Sequence, residues 1–390
     1  MSSTTRPIYL DHNATTPLDP RVFEAMRPYF MEMFGNAASK GHAFGAVAKE
    51  AVERARHQVA SLLGATDAEI VWTSGATESN NLAIKGVAEM YAEKGRHIIT
   101  QTTEHKAVLD PCKRLSRHGY EITWLQPDQF GRVSAEQVRD AIRPDTILVT
   151  IMAANNEIGT LQPIREIGQV CRGRGVLFHT DATQSLGKIP IDVEADFIDI
   201  LSFSGHKLYG PKGCGGVYVR RKNPRVHLTP IMDGGGHESG FRSGTLNVPG
   251  IVGVGAACEV ARQEMPTESP RLAALRDRLE GGILSRLDAV TVNGHPLYRL
   301  PNTSNLAFAG ADGDTLLTAF NLEFAVSSGS ACTSASMEPS FVLRAIGVPD
   351  DLAYASIRFS LGRSNTEQQI DHVINRVVET ISALRIPVLK

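Results

Sequence analysis

The chain has 390 residues, 42% hydrophobic and 21% charged, which excludes wholesale disorder and allows one large lobe with a satellite. With 40 Lys and Arg against 42 Asp and Glu, the formal net charge is -2, so nothing marks the chain for DNA or an anionic membrane. No apolar run approaches the roughly 20 residues of a spanning helix, and the first residues read as neither signal peptide nor presequence. The five cysteines include no close pair, so neither a zinc ribbon nor a redox CxxC is available, and no metal site is expected. Reduced thiols and a cytoplasmic location are the expectation.

In chain order, Val47, Ala51, Ala55, Val59, Leu62 and Leu63 recur at helical spacing, and Gly64 follows near the end of that helix. Short runs rich in Ile and Val come next, at 69–73, 97–100, 145–151, 175–179 and 197–202. They do not alternate, which predicts strands covered on both faces by helices. The reading is an α/β domain with a mostly parallel sheet. Beyond residue 257 the pattern changes to a helix at 271–287, strand-like runs at 289–292, 304–308 and 357–361, and a last helix. Thr366 and Gln369 form a capping box at its start, and Ile370, Val373, Ile374, Val377 and Ile381 line one face. The expected division is a large α/β domain over 14–257 and a small α+β domain from 1–13 and 258–390.

Ligands of open α/β sheets sit at the carboxyl ends of the strands. After the first run comes Thr73-Ser-Gly-Ala76-Thr77-Glu-Ser, a small-residue turn opening a helix, which suits a phosphate or an ordinary cap. Asp181 and Gln184 follow the fourth run, and Ser204-Gly-His206-Lys207 follows the fifth. A buried Asp and Lys at two such ends are costly singly, so they form either a structural pair or a shared ligand site. A carboxylate that keeps a pyridine nitrogen protonated, beside a reactive Lys, meets the needs of pyridoxal phosphate. His105 follows another strand end and could stack on a ring. Arg358, inside an apolar strand, is a carboxylate fork or half of an ion pair. Cys332 lies in Ser327-Ser-Gly-Ser-Ala-Cys-Thr-Ser-Ala-Ser336, among small and hydroxylated neighbours that keep a thiol accessible. Cys112, Cys171, Cys214 and Cys258 read as packing residues. The glycines at 250–255 follow no buried strand, which argues against a dinucleotide fingerprint. The basic run 220–225 reads as a solvated turn.

Together the phosphate-type turn, Ser204-Gly-His-Lys-Leu-Tyr-Gly-Pro-Lys-Gly213 and the Cys332 segment resemble the cysteine desulfurases of NifS/IscS type. The resemblance runs from Tyr9-Leu-Asp-His-Asn-Ala-Thr-Thr16 to Ser356-Ile-Arg-Phe-Ser-Leu-Gly-Arg363. It implies the aspartate aminotransferase-like type I fold, a homodimer and pyridoxal 5'-phosphate as cofactor. By this resemblance Lys207 binds the cofactor covalently, Asp181 protects its ring nitrogen and His105 stacks on the ring. Asn156 and Gln184 would lie near the phenolic oxygen. Ala76, Thr77, Ser204 and His206 would hold the phosphate, joined by Thr245 of the other subunit. Arg358, with Asn156, would bind the substrate carboxylate. Cys332 would take sulfur from L-cysteine as a persulfide, release L-alanine and pass the sulfur to an acceptor such as an iron–sulfur cluster scaffold. A selenocysteine lyase or an aminotransferase on the same fold is the alternative. The tail is shorter than relatives commonly carry, which leaves the acceptor open.

Overall fold

The computed structural model describes residues 7–328 and 338–385. Its main sheet has seven strands in the spatial order Ile70–Thr73, Gly215–Val219, Ile200–Ser204, Leu177–Asp181, Thr146–Thr150, His97–Gln101, Glu121–Leu125. All run parallel except Gly215–Val219, which is antiparallel to both neighbours. Every residue of the five inner strands is buried, because helices cover both faces. On one face Trp72, Phe178 and Phe203 pack with helix Ala43–Leu63, helix Ile164–Arg174 and the start of the long helix Val248–Leu284. On the other, Val71, Leu148 and Val217 meet Leu82, Ile84 and Val87 of helix Ala76–Met90.

The second layer system is a four-stranded antiparallel sheet in the order Ser327–Ser328, Ser356–Ser360, Thr303–Phe308, Val290–Asn293. Its core joins Phe308, Phe359 and Ile357 to Leu275 and Leu279 of the long helix and to the apolar face of helix Glu367–Leu384. The capping box of Thr366 and Gln369 is present at that helix start. Helix Val248–Leu284 runs unbroken across residues 257 and 258. Its first half packs on the large sheet and its second half on the small one. The N-terminal strand Ile8–Tyr9 pairs with Phe324–Ala325, so the chain begins against the small layer before crossing to the large one.

One reading needs correction. Arg220 is not in a solvated turn but fully buried, bonded to Glu194 at 2.7 Å and within 3.2 Å of Asp199. Its guanidinium also donates to the carbonyls of Val193 and Ile198, which repays the burial. The strands Glu121–Leu125 and Gly215–Val219 carry weak sequence signals, the first partly exposed and the second opened by two glycines. The 250–255 glycines lie within the long helix and let it close on its neighbours: a Cβ at Gly255 would meet Ala55 Cα at 2.5 Å.

Gly215 places the site directly. An added Cβ there would lie 2.5 Å from Phe203 O and 2.8 Å from Gly75 Cα, where helix Ala76–Met90 begins. Gly173, inside helix Ile164–Arg174, has nothing within 4 Å of its added Cβ. Gly215→Ala is expected to lower stability by about 1–3 kcal/mol through overpacking. Gly173→Ala is expected to raise it by about 0.5–1 kcal/mol by restricting the unfolded chain. Paired denaturant titrations check both signs, and equal midpoints would contradict the packing described.

Candidate active site

The parallel strands bring Thr73, Gln101, Thr150, Asp181 and Ser204 to one edge of the sheet, and a cavity of about 640 Å³ opens there. A volume of that size suits a small organic cofactor or substrate. At one end, Gly75 takes φ 147°, a conformation open to glycine, and starts helix Ala76–Met90 without a side-chain cap. The first helical bond runs from Ser79 N–H to Gly75 O, which leaves the N–H groups of Ala76, Thr77 and Glu78 without acceptors among the described residues. Ser204 Oγ lies 3.5 Å from where a Gly75 Cβ would stand, and His206 lines the same wall. Free N–H groups, a hydroxyl and the positive end of a helix make an anion cradle. Burial, with Lys207 and Lys212 near, drives the His206 imidazole down to about 4, so it is neutral there.

Asp181 closes strand Leu177–Asp181, and its carboxylate is held at both oxygens. Asn80 Nδ2 donates to Oδ2 at 2.7 Å and the Thr183 N–H to Oδ1 at 2.9 Å. Lys207 sits in the turn after strand Ile200–Ser204. Its Nζ donates to the carbonyls of Asn13 (2.5 Å) and Ala14 (2.6 Å). Burial, then the charge of Arg358, push its ammonium down to about 8, with Asp11 and Asp181 opposing. His105 caps helix Lys106–Ser116, accepting the Ala107 N–H at Nδ1 (3.1 Å), which leaves the proton on Nε2. Enclosure by the surrounding chain lowers its pKa, with Asp181 opposing, so the ring is neutral. Its neighbour Glu104 is fully buried and pushed up to about 8, so it adds no second anion beside Asp181.

The strap Asp11–Thr16, quoted in the sequence reading with no role, proves to be a wall of the site. Asn13 O accepts from both Lys207 and Gln184 Nε2 (2.9 Å), while the Asn13 side chain is gripped by Thr303 and Asn156. Thr15 and Thr16 then bond to His206. Asn80 was also missed; it lies one helical turn beyond Ala76, and that period is the signal that could have found it.

Arg358 lines the cavity, but its guanidinium is engaged with Asp11 Oδ1 (2.7 Å), Asn156 O (2.9 Å) and Ser327 Oγ (3.0 Å). Of the expected site residues, Ala76, Thr77, His105, Asn156, Asp181, Gln184, Ser204, His206, Lys207 and Arg358 all line this one cavity. Thr245 does not; it is exposed in the loop after Arg242, whose Nε pairs with Glu78 at 2.8 Å. Cys332 lies outside the described residues.

The family described as aminotransferase class-V matches residues 8–373. The chain belongs to that family. Within the class-V aminotransferases it is 59% identical, over 379 residues, to the cysteine desulfurase IscS of Anaeromyxobacter sp. (strain K), spanning 97% of this chain and 93% of that one. The cysteine desulfurase IscS of Escherichia coli O139:H28 is 56% identical over 382 residues, with 97% and 94% covered. Among solved structures, a NifS-like protein superposes with a TM-score of 0.90 at 38% identity, covering 97% of this chain and 100% of that one. A structure described as SspA in complex with cysteine gives 0.80 at 42% identity, covering 91% and 98%. This class-V aminotransferase is of the NifS/IscS cysteine desulfurase type, with the type I fold.

The cavity fits pyridoxal phosphate on its own chemistry. Asn80 Oδ1, Thr183 Oγ1 and Arg358 Nε, all from lining residues, are buried without a partner among the described residues. A nucleophilic amine, an oriented carboxylate and an uncapped helix start converge there, which is a donor set no ordinary core requires. Lowering of the Lys207 pKa has a direct consequence: the free amine is the major form above about pH 8, not only above pH 10. Competitive acetylation of the cofactor-free protein is expected to give Lys207 a labelling midpoint near 8. A midpoint near that of a solvated lysine would contradict the described burial.

Proposed function

We propose that this pyridoxal phosphate-dependent enzyme takes the sulfur of L-cysteine onto Cys332, releases L-alanine and passes the persulfide sulfur to an acceptor protein. The observation that carries the reading is the convergence of Lys207, Asp181 and the uncapped helix start on one cavity. Ser327, just upstream of the segment bearing Cys332, bonds Arg358 in that cavity's wall.

Bound there, pyridoxal phosphate supplies an electron sink for the bonds to the substrate α-carbon. The N–H groups of Ala76 and Thr77, with Ser204 and His206, would hold its phosphate. Asp181, already oriented by Asn80 and Thr183, would keep the proton on its ring nitrogen. Lys207 would be its covalent anchor and the base that moves the α-proton; a pKa pushed to about 8 suits an amine that must shed and regain a proton near neutrality. His105 would stack against the ring, and Asn156 and Gln184 would address its phenolic oxygen.

Arg358, with Asn156, receives the substrate carboxylate. Two of its guanidinium nitrogens already bond Asp11, Asn156 O and Ser327, so an arriving carboxylate must exchange with some of these partners. The Cys332 thiolate then attacks the substrate sulfur. The S–S bond forms, the C–S bond breaks, and a proton delivered to the former sulfur-bearing carbon yields alanine. No external oxidant is needed, because the electron pair of the broken C–S bond stays on carbon, which is reduced to the methyl of alanine as the two sulfurs reach the persulfide level.

The working unit in this reading is a homodimer in the cytoplasm. Thr245 is exposed and away from its own chain's cavity, as a residue given to a partner's phosphate would be. Met31, Phe34 and Phe30 are 75%, 64% and 57% exposed on the N-terminal segment, an apolar surface that a second copy would cover. Cys112, Cys171, Cys214 and Cys258 are buried and unpaired, in keeping with a reducing compartment. No helix of the described residues is long and apolar enough to cross a membrane. An iron–sulfur cluster scaffold is the acceptor proposed, with other thiolation pathways open to the same persulfide.

The test is alanine formation from L-cysteine with a thiol reductant. Cys332→Ala is expected to retain the cofactor's absorbance and lose alanine production by about 100-fold or more, roughly 3 kcal/mol of transition-state stabilisation. Equal production by both proteins would reject Cys332 as the sulfur acceptor. Transamination of keto acids with unchanged rates in the variant would favour the aminotransferase alternative.

A further inference from the structure

Lys188 is a half-buried titratable group that the proposed reaction does not use. It lies in the turn following Asp181 and lines a small cavity that shares Lys207 with the main one. Its Nζ donates to Gln184 Oε1 at 3.0 Å, and it forms no ion pair among the described residues. Desolvation by its surroundings, and then the charges of Lys207 and Arg358, push its ammonium down to about 7. Across the small cavity Glu268 is already taken by Arg363 at 2.9 Å, and burial keeps the His12 and His206 rings neutral. Holding an ammonium among cations is costly, and a methionine would fill the same space without that cost.

What the ammonium does is fix an orientation. A glutamine amide can turn either end toward a neighbour, whereas an ammonium only donates. With Oε1 bound to Lys188, the Gln184 amide must present Nε2, which donates to Asn13 O at 2.9 Å beside the Lys207 Nζ contact on the same oxygen. Lys188, Gln184, Asn13 and Lys207 thus form one continuous chain of hydrogen bonds along the cavity wall.

We propose that Lys188 is a positioning residue of the cofactor site, fixing the Gln184 carboxamide with its N–H end toward the cavity. The inference rests on the reading that this cavity holds pyridoxal phosphate with Gln184 at its phenolic oxygen. A donor on the phenolic oxygen makes that oxygen less basic and so disfavours protonation of the Lys207–cofactor linkage. This lowers the pH midpoint of the bound cofactor's absorbance. Removing Lys188 therefore raises it.

The experiment is a pH titration of the visible absorbance of cofactor-loaded wild type, Lys188→Met, Lys188→Gln and Lys188→Arg. Lys188→Met is expected to raise the midpoint by about one pH unit, a tenfold gain in proton affinity. Lys188→Gln, whose amide can turn either end toward Gln184, is expected to shift it less, and Lys188→Arg, which only donates, to restore the wild-type value. A folded, loaded Lys188→Met with the wild-type midpoint overturns the proposal. Where that variant does not fold, an unshifted Lys188→Gln overturns it instead. A wild-type protein that takes up no cofactor sinks the underlying cofactor reading, an outcome distinct from equal midpoints.

Discussion

One oxygen atom organises this site: the carbonyl of Asn13, which accepts from Lys207 Nζ and from Gln184 Nε2. The strap that carries it is anchored to both layer systems. On the small-sheet side the Asn13 N–H donates to Ser360 Oγ at 2.9 Å, and its Nδ2 donates to Thr303 Oγ1 at 2.9 Å. On the large-sheet side Thr16 donates to His206 O and accepts the Tyr209 N–H, bracketing Lys207. A reactive amine on a short turn would otherwise sample many rotamers, at an entropic cost of up to about 2 kcal/mol to fix it. Two well-anchored carbonyls define its place before any ligand arrives.

The same logic of prior orientation recurs around the cavity. Asp181 is locked by Asn80 and Thr183, His105 by its own helix N-terminus, and the Gln184 amide by Lys188. Each lock comes from a different element, so the geometry depends on the packing of sheet, helices and strap together. Arg358 differs. Its partners Asp11, Ser327 and Asn156 O hold two of its nitrogens, so it is an ion pair in the wall. In the proposed reading, substrate binding there would be an exchange of partners. Because Ser327 lies just before the Cys332 segment, that exchange would reach the root of the sulfur-carrying chain.

Much of this was legible in the sequence because strand ends carry the chemistry. Buried parallel strands are continuous apolar runs, and the residues just after them are few, so Asp181, Gln184, Ser204, His206 and Lys207 could be found by position alone. The cavity collects all of them. What stayed hidden depends on contacts between distant segments. Asn13 is 194 residues from Lys207 along the chain, and nothing local in Asn-Ala-Thr-Thr tells that its carbonyl accepts a lysine. Arg220 looked solvated because it opens a basic run, yet only the fold brings Glu194 and the carbonyls of Val193 and Ile198 around it. The antiparallel strand Gly215–Val219 was hidden for a similar reason: its glycines lower strand propensity, and their value is the close approach of Gly75.

The most direct measurement is a single-turnover reaction of the loaded enzyme with L-cysteine, with Cys332 followed by peptide mass spectrometry and alanine counted in the same sample. The proposed chemistry requires one added sulfur atom on the Cys332 peptide for each alanine released, appearing together and discharged by a thiol reductant. Alanine released without sulfur on that peptide would contradict it, as would a Cys332 peptide that gains sulfur when no alanine forms.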